Sequence, residues 1–127
     1  ELFLKKGLNP NTIFFFFLGG WDHDDLTLLV VSIQENRLDS FYILLKKGAN
    51  PNLSAKDGYN ISTPVEIAIY RNYEENKVVR YQMIKELIRA GADIKKKDEY
   101  GNNPVVSLAK YHKLNDVLEL LESYGVK

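Results

Sequence analysis

The 127-residue chain carries 17 basic and 17 acidic side chains, so its formal net charge is zero at neutral pH. A neutral chain offers no long-range field that favours nucleic acid or an anionic membrane surface, and we expect neither as a partner. Cysteine is absent, which excludes disulfides, thiolate metal sites and a cysteine nucleophile and leaves the cellular compartment open. Apolar residues make up 45% of the sequence, but no apolar run reaches the roughly 18 residues of a membrane span.

In chain order, the sequence predicts the end of a helix at residues 1–6 and then a long finger over residues 8–25, with short hairpin strands near 13–17. Apolar residues at helical spacing, such as the stripe of Met83, Ile84 and Leu87, support a series of helices after the finger. These helices are predicted near residues 26–35, 38–47, 63–73, 77–90, 104–112 and 114–124. No other strands and no central sheet are expected.

One phrase recurs at the predicted helix ends: an apolar pair, two or three spacer residues and a glycine. Its four copies end at Gly7, Gly48, Gly91 and Gly125. Basic residues before the glycine suit the negative pole of a helix. Glycine then takes the left-handed conformation after the helix at no steric cost. The phrase therefore predicts that the chain turns away after each of these helices.

A second phrase begins the helices that precede these ends. It stands at Thr63–Ala68, at Asn103–Ala109 and, in a divergent form, at Thr27–Ser32. Threonine or asparagine can cap a helix, and proline fits its first turn. We expect the small residue in each copy, which is Ser32, Ala68 or Ala109, to let the next helix approach closely.

The two phrases together resemble the ankyrin repeat, whose signature is Thr-Pro-Leu-His-x-Ala with a period of about 33 residues. The resemblance covers almost the whole chain. It aligns without a gap from Thr27 to Gly48, and Asp98–Pro104 follow the turn pattern of the family. It implies an all-α fold, an ankyrin-repeat solenoid of stacked antiparallel helix pairs with hairpin turns. It also implies a non-catalytic module that binds another protein.

Insertions separate the copies unevenly, because the four glycines lie 41, 43 and 34 residues apart. The first insertion is expected between Thr12 and Trp21, and much of the second around Asn72–Lys77. We therefore predict one domain over residues 1–127, with a partial first repeat and finger (1–21), a repeat (22–54), a repeat with an insertion (55–97) and a C-terminal capping repeat (98–127). Because the first repeat is incomplete, we expect the natural chain to continue upstream or another element to cover Leu2–Leu4.

The run of four phenylalanines, Phe14–Phe17, has two interpretations. In a strand, alternate rings point to opposite faces. The rings can pack on the first inner helix or fill the gap left by the shortened first repeat. Alternatively Phe15 and Phe16 can dock into a partner, because aromatic residues are prominent in interface hot spots. Both interpretations stay open at this point.

Residues able to support catalysis or bind a metal do not assemble into a convincing site. Trp21–Asp25 contain three carboxylates and one imidazole, but the repeat register places Asp22 where Asp98 stands in the third repeat. At that turn position an aspartate accepts hydrogen bonds from backbone amides. The serines carry no nucleophile-elbow pattern, and Gly19-Gly20 lacks the lysine of a phosphate loop. We predict no enzymatic activity, no cofactor and no metal site.

The resemblance also implies where a partner would bind, because ankyrin partners meet the hairpin tips and the concave side of the inner helices. The candidate partner-binding residues are Phe15, Phe16, Trp21, His23, Gln34, Tyr59, Asn60, Tyr70, Arg71, Glu99, Tyr100 and Tyr111. The predicted partner is another protein. Two alternatives are an inhibitor or immunity protein that blocks a toxin enzyme, and a structural adaptor segment of a larger multidomain chain.

Overall fold

The computed structural model describes residues 9–17, 23–57, 60–70 and 76–126, and the predictions for residues 1–6 fall outside these ranges. The described part is mostly helical. Its six helices are α1 Leu28–Gln34, α2 Leu38–Lys46, α3 Pro64–Tyr70, α4 Lys77–Arg89, α5 Pro104–Tyr111 and α6 Asn115–Ser123. Each lies within a range predicted from the sequence, so the prediction of a helical class is confirmed. No helix within the described ranges combines the length and hydrophobicity needed to cross a membrane.

The helices form two rows. Within each pair α1 contacts α2, α3 contacts α4 and α5 contacts α6. Between pairs, α1, α3 and α5 contact one another in succession and form what we call the inner row, while α2, α4 and α6 form the outer row. Only three residues join α1 to α2 and α5 to α6, so the chain reverses within these pairs. Each pair is thus one layer of a three-layer stack.

The outer-row helices end as the glycine phrase predicts. Gly48 has a φ of 97°, and its N–H donates to the Leu45 carbonyl at 3.1 Å. The next N–H, from Ala49, donates to the Leu44 carbonyl at 3.0 Å. These two bonds form the Schellman motif, which satisfies carbonyl groups that the end of a helix leaves without intrahelical partners. The same pair of bonds recurs at Gly91 and at Gly125, whereas Gly7 lies outside the described residues.

The inner-row helices begin with the side-chain caps that the second phrase predicts. The Thr27 hydroxyl accepts from the Val30 N–H at 3.2 Å. Asn103 Oδ1 accepts from the Val105 N–H at 3.0 Å and from the Val106 N–H at 3.3 Å. Its amide nitrogen donates to the Ile94 carbonyl at 2.7 Å, which fastens the start of α5 to the preceding extended segment.

A small antiparallel sheet forms along the loops. Its strands are β1 Phe14–Phe17, β2 His23–Leu26, β3 Ala55–Asp57 and β4 Asn60–Ser62, in the order β1-β2-β3-β4. The β1–β2 hairpin confirms the strands predicted near residues 13–17. The expectation of no other strands is wrong, because β3 pairs with β4 and also with β2. Because Asp57 pairs with Asn60, only Gly58 and Tyr59 stand between the strands, and a glycine at the first position of a two-residue loop was the local signal for the second hairpin.

Two asparagine side chains connect successive loops, and we call these contacts the asparagine bridges. Asn11 Nδ2 donates to the Gly48 carbonyl at 3.2 Å, and Asn11 Oδ1 accepts from the Asn50 N–H at 2.6 Å. One layer further on, Asn52 Nδ2 donates to the Gly91 carbonyl at 3.0 Å, and Asn52 Oδ1 accepts from the Asp93 N–H at 2.7 Å. The Asn52 bridge therefore ties the loop after α2 to the start of the loop after α4, and the Asn11 bridge makes the same pair of bonds to the start of the loop after α2.

The core lies between the helix rows and contains one buried arginine. The apolar pair of the helix-end phrase predicts that Leu44, Leu45 and Leu87 are buried between layers; Leu44 and Leu87 are buried, but Leu45 is only half-buried, so its part of the prediction is wrong. Arg80 is only 1% exposed, and its Nε donates to the Asn36 side chain at 2.8 Å. Asn36 ends the first inner helix with a φ of 57°, so Arg80 holds the turn between α1 and α2 against α4.

Two adjacent leucines of α2 give a matched test of this packing. Leu44→Ala should lower the free energy of unfolding by about 2–5 kcal/mol, because Leu44 is 5% exposed and its removal leaves a cavity. Leu45→Ala should cost less than about 2 kcal/mol, because that side chain is only half-buried. Urea unfolding of both variants measures the difference. Equal costs would show that α2 is rotated from the described orientation.

Candidate functional site

A groove lies between the inner helices α3 and α5, with a volume of about 570 Å³. We call it the inner groove. From α5 it takes residues spaced three and four apart, which therefore share one face of the helix. Its lining residues are Ser62, Glu66, Tyr70, Pro104, Ser107, Leu108 and Tyr111. The contact between neighbouring layers thus creates an open surface that neither helix has alone.

A second cavity of about 360 Å³ continues the inner groove towards the loops. Glu66 and Pro104 line both cavities, so the two form one track. The other residues that line the second cavity are Asn52, Ser54, Thr63, Asp93, Lys96 and Val105. One end of the track is therefore rich in aromatic and apolar groups, while the loop end is polar.

Glu66 sits where the two cavities meet, and the start of α3 fixes its position. Glu66 Oε1 accepts from the Thr63 N–H at 3.0 Å and from the Thr63 hydroxyl at 2.9 Å. In return the Glu66 N–H donates to Thr63 Oγ1 at 3.4 Å. This reciprocal arrangement is a capping box, in which glutamate or glutamine three residues after the cap serves equally. The capping box places one half-buried carboxylate in the floor of the track.

The structure brings together two of the predicted site residues, Tyr70 and Tyr111. They are the last residues of α3 and α5 and line the inner groove from opposite sides. Tyr70 is half-buried, whereas Tyr111 is 81% exposed. The Tyr111 ring meets the His112 ring edge-on, with centroids 5.1 Å apart and planes at 81°. That contact supports an exposed ring in one orientation, which lowers the entropy lost on binding.

Three other predicted residues lie elsewhere in the described part. Gln34 ends α1, one layer before the inner groove. Glu99 and Tyr100 stand at the exposed turn before α5 and line neither cavity. Asp98 builds this turn, because its Oδ1 accepts from the N–H groups of Tyr100 and Asn102, each at 2.9 Å. The structural role predicted for Asp98 is confirmed, and Tyr100 is displayed at 80% exposure.

The remaining predicted site residues cannot be placed as side chains. Phe15 and Phe16 belong to β1 and pair with Asp25 and Asp24 of β2, but their side chains lie outside the described part, as do those of His23 and Asn60. Trp21, Asp22, Tyr59 and Arg71 lie entirely outside it. Both interpretations of the phenylalanine run, and the role predicted for Asp22, therefore stay predictions.

Four residues of α3 and α5 line the inner groove but are missing from the predicted site residues: Glu66, Pro104, Ser107 and Leu108. Their signal was helical spacing, since Glu66 precedes Tyr70 by one turn and the α5 residues precede Tyr111 on one stripe. Leu108 stands five residues after its cap, the distance at which α1 and α3 have Ser32 and Ala68, so the small residue predicted for this copy, Ala109, lies one position later. The larger side chain of Leu108 adds apolar surface to the groove.

The groups in the track can bind but do not form a recognisable reaction centre. They provide two phenol rings, apolar surface, hydroxyl and amide groups, and a carboxylate at the junction. Within the ranges that the structure describes, no three histidine, aspartate or glutamate side chains cluster as metal ligands. The track therefore offers apolar surface together with hydrogen-bonding groups.

The capping box predicts a difference between two Glu66 variants. Glu66→Ala should lower the free energy of unfolding by about 0.5–2 kcal/mol, because the Thr63 N–H and hydroxyl lose their acceptor. Glu66→Gln should cost less, since its amide oxygen can accept the same two bonds. Thermal melts at equal protein concentration compare the two. If both variants melt together well below the unmodified protein, the charge of Glu66 rather than the cap stabilises α3.

Comparison with known proteins finds one similarity that bears on these features. No family model matches the chain. The chain is similar to a curated Rickettsia felis protein that is named as an ankyrin repeat protein, with 38% identity over 82 residues. The match covers 63% of this chain and 34% of the relative, so it spans about a third of the relative's length. The recurrent helix phrases and the paired helices of this chain agree with its similarity to an ankyrin repeat protein.

Proposed function

We propose that the chain is a non-catalytic ankyrin solenoid that binds another protein through the track between its second and third layers. Ankyrin-repeat proteins generally act by binding proteins, and the helical layers described above suit that role. In this proposal the repeats at 22–54, 55–97 and 98–127 each contain one helix pair. The three layers then present one continuous concave surface.

The observation that carries the proposal is the display of Tyr111 opposite Tyr70 across the inner groove. An exposed ring retains apolar surface that a partner can bury, and tyrosine is enriched among the residues that dominate interface energies. The groove walls come from helices rather than loops, so little reorganisation is needed before binding. This supports a preformed contact surface at the C-terminal ends of α3 and α5.

We further propose that the surface extends beyond the inner groove. Tyr100 and Glu99 would widen it at the turn before α5, and Gln34 would extend it towards the first layer. The other candidate contacts, which are Phe15, Phe16, Trp21, His23, Tyr59, Asn60 and Arg71, remain part of the proposal. The inhibitor and adaptor alternatives differ in the partner rather than in the surface, so the identity of the partner separates them.

Truncation of one ring tests the energetic side of the proposal. Tyr111→Ala should weaken partner binding by about 2 kcal/mol, roughly 30-fold in Kd, because a central aromatic contact is lost. The melting temperature should change little, since this side chain is 81% exposed. Tyr42→Ala is the matched control, because Tyr42 is an exposed tyrosine of the outer-row helix α2. Isothermal titration with the captured partner measures both.

Site-specific photo-cross-linking locates the surface and captures the partner in one step. A benzoylphenylalanine replaces Tyr111 in one protein and Tyr42 in another, and both are irradiated in a lysate of the source cells. Mass spectrometry should find a specific adduct from position 111 and none from position 42. An adduct from position 42 alone would refute the concave-surface proposal, and a toxin enzyme among the adducts would favour the inhibitor alternative.

A further inference from the structure

We infer that the inner groove contains a subsite for an arginine side chain presented by an extended segment of the partner. The inference rests on the proposed function, because it specifies the chemistry of the partner at the same surface. It adds the residue type that the partner presents, arginine, and the group that recognises it, the carboxylate of Glu66.

The charge distribution of the groove supports a cationic occupant. Among the residues that the structure describes, Glu66 is the one charged side chain that lines the inner groove. It forms no ion pair with any residue in the described ranges, and Oε2 makes no hydrogen bond there. Because Glu66 is half-buried between two layers, an opposite charge that reaches it is less screened than a pair at the open surface.

Two basic residues of the described part stand near the track, and neither forms an ion pair with Glu66 there. Lys110 precedes Tyr111 on α5 but is exposed and lines neither cavity. Lys96 lines the loop end of the track, where Asp93 is also present. Since no basic side chain of the described part pairs with Glu66, we take the complement of its charge to be a cation that the partner supplies.

The groups around Glu66 favour arginine over lysine. Tyr70 follows Glu66 by four residues and lies on the same face of α3, while Tyr111 stands on the opposite wall. A planar guanidinium can stack on a phenol ring and donate in its own plane to a carboxylate, which a lysine ammonium cannot do. Leu108 and Pro104 supply apolar surface for the methylene stem.

The loop end of the track suits the peptide backbone on one side of that arginine. Asn52, Ser54 and Thr63 line it with polar groups that can bond to main-chain N–H and C=O groups. The shared position of Glu66 in both cavities places the arginine at the point where the backbone leaves the aromatic end. An extended segment is the conformation that can follow such a track.

Titration of a defined peptide tests the subsite. The probe is acetyl-Gly-Ser-Gly-Arg-Gly-Ser-Gly-amide, and its control carries citrulline, which has the same shape without the charge. Amide signals of ¹⁵N-labelled protein report the binding. The arginine peptide should shift Ser107, Leu108 and Tyr111 in a saturable manner, and citrulline should raise the Kd at least fivefold.

Two carboxylate variants complete the test. Glu66→Gln keeps the capping acceptor but removes the charge. It should therefore raise the Kd for the arginine peptide at least fivefold, while the NMR spectrum remains that of a folded protein. Glu119→Gln, which removes an exposed carboxylate of α6, should change nothing. The inference is overturned if the citrulline peptide binds equally, if Glu66→Gln binds as the unmodified protein does, or if no groove signal shifts up to about 10 mM peptide.

The failure of this inference is distinguishable from failure of the proposed function. If cross-links from position 111 persist while Glu66→Gln binds the captured partner unchanged, the groove binds a neutral segment and only the arginine subsite is wrong. If position 111 yields no cross-link and the arginine peptide shifts no groove signal, both are wrong.

Discussion

The asparagine bridges are the constraint on which the arrangement of layers depends. A loop between helices leaves backbone groups without intrahelical partners, and an asparagine amide offers a donor and an acceptor on one rigid plane. Asn52 uses both, at 3.0 Å to the Gly91 carbonyl and 2.7 Å from the Asp93 N–H. Any slip of one loop against the next would lose both bonds together. Because Asn52 also lines the loop end of the track, the bridge fixes the distance between the walls that a partner would meet.

The bridges also show how the stack changes towards its last layer. Asn11 and Asn52 each stand four residues after a glycine of the helix-end phrase, but Lys95 occupies that position after Gly91. The Lys95 ammonium reaches the last layer, since a Cβ added to Gly125 would lie 3.9 Å from Lys95 Nζ. An ammonium donates but cannot accept, so it cannot reproduce the two-way bridge. The last layer is instead held by the contacts of α5 with α3 and of α6 with α4.

Local chemistry explains why part of this structure could be predicted from the sequence. The glycine ends, the Thr27 and Asn103 caps and the helix ranges depend on residues within one turn of each other. The β3–β4 hairpin had a local signal in Gly58, but its pairing with β2 depends on how two loops stack. Arg80 precedes Met83 and Ile84 by three and four residues, so periodicity places it on the buried face although its charge suggests the surface. The groove depends on which faces of α3 and α5 meet, which no single helix reveals.

We infer that the Asn52 bridge couples adjacent layers and so fixes the spacing of α3 and α5, the two walls of the inner groove. Native-state hydrogen exchange of Asn52→Ala tests it amide by amide, with Asn102→Ala as control because the Asn102 side chain makes no hydrogen bond within the described part. In Asn52→Ala the Asp93 amide should lose its protection and the amides of α3 and α5 should lose protection with it, while the control should match the unmodified protein. Unchanged protection in α3 and α5 after loss of the bridge would show that the bridge does not couple the layers.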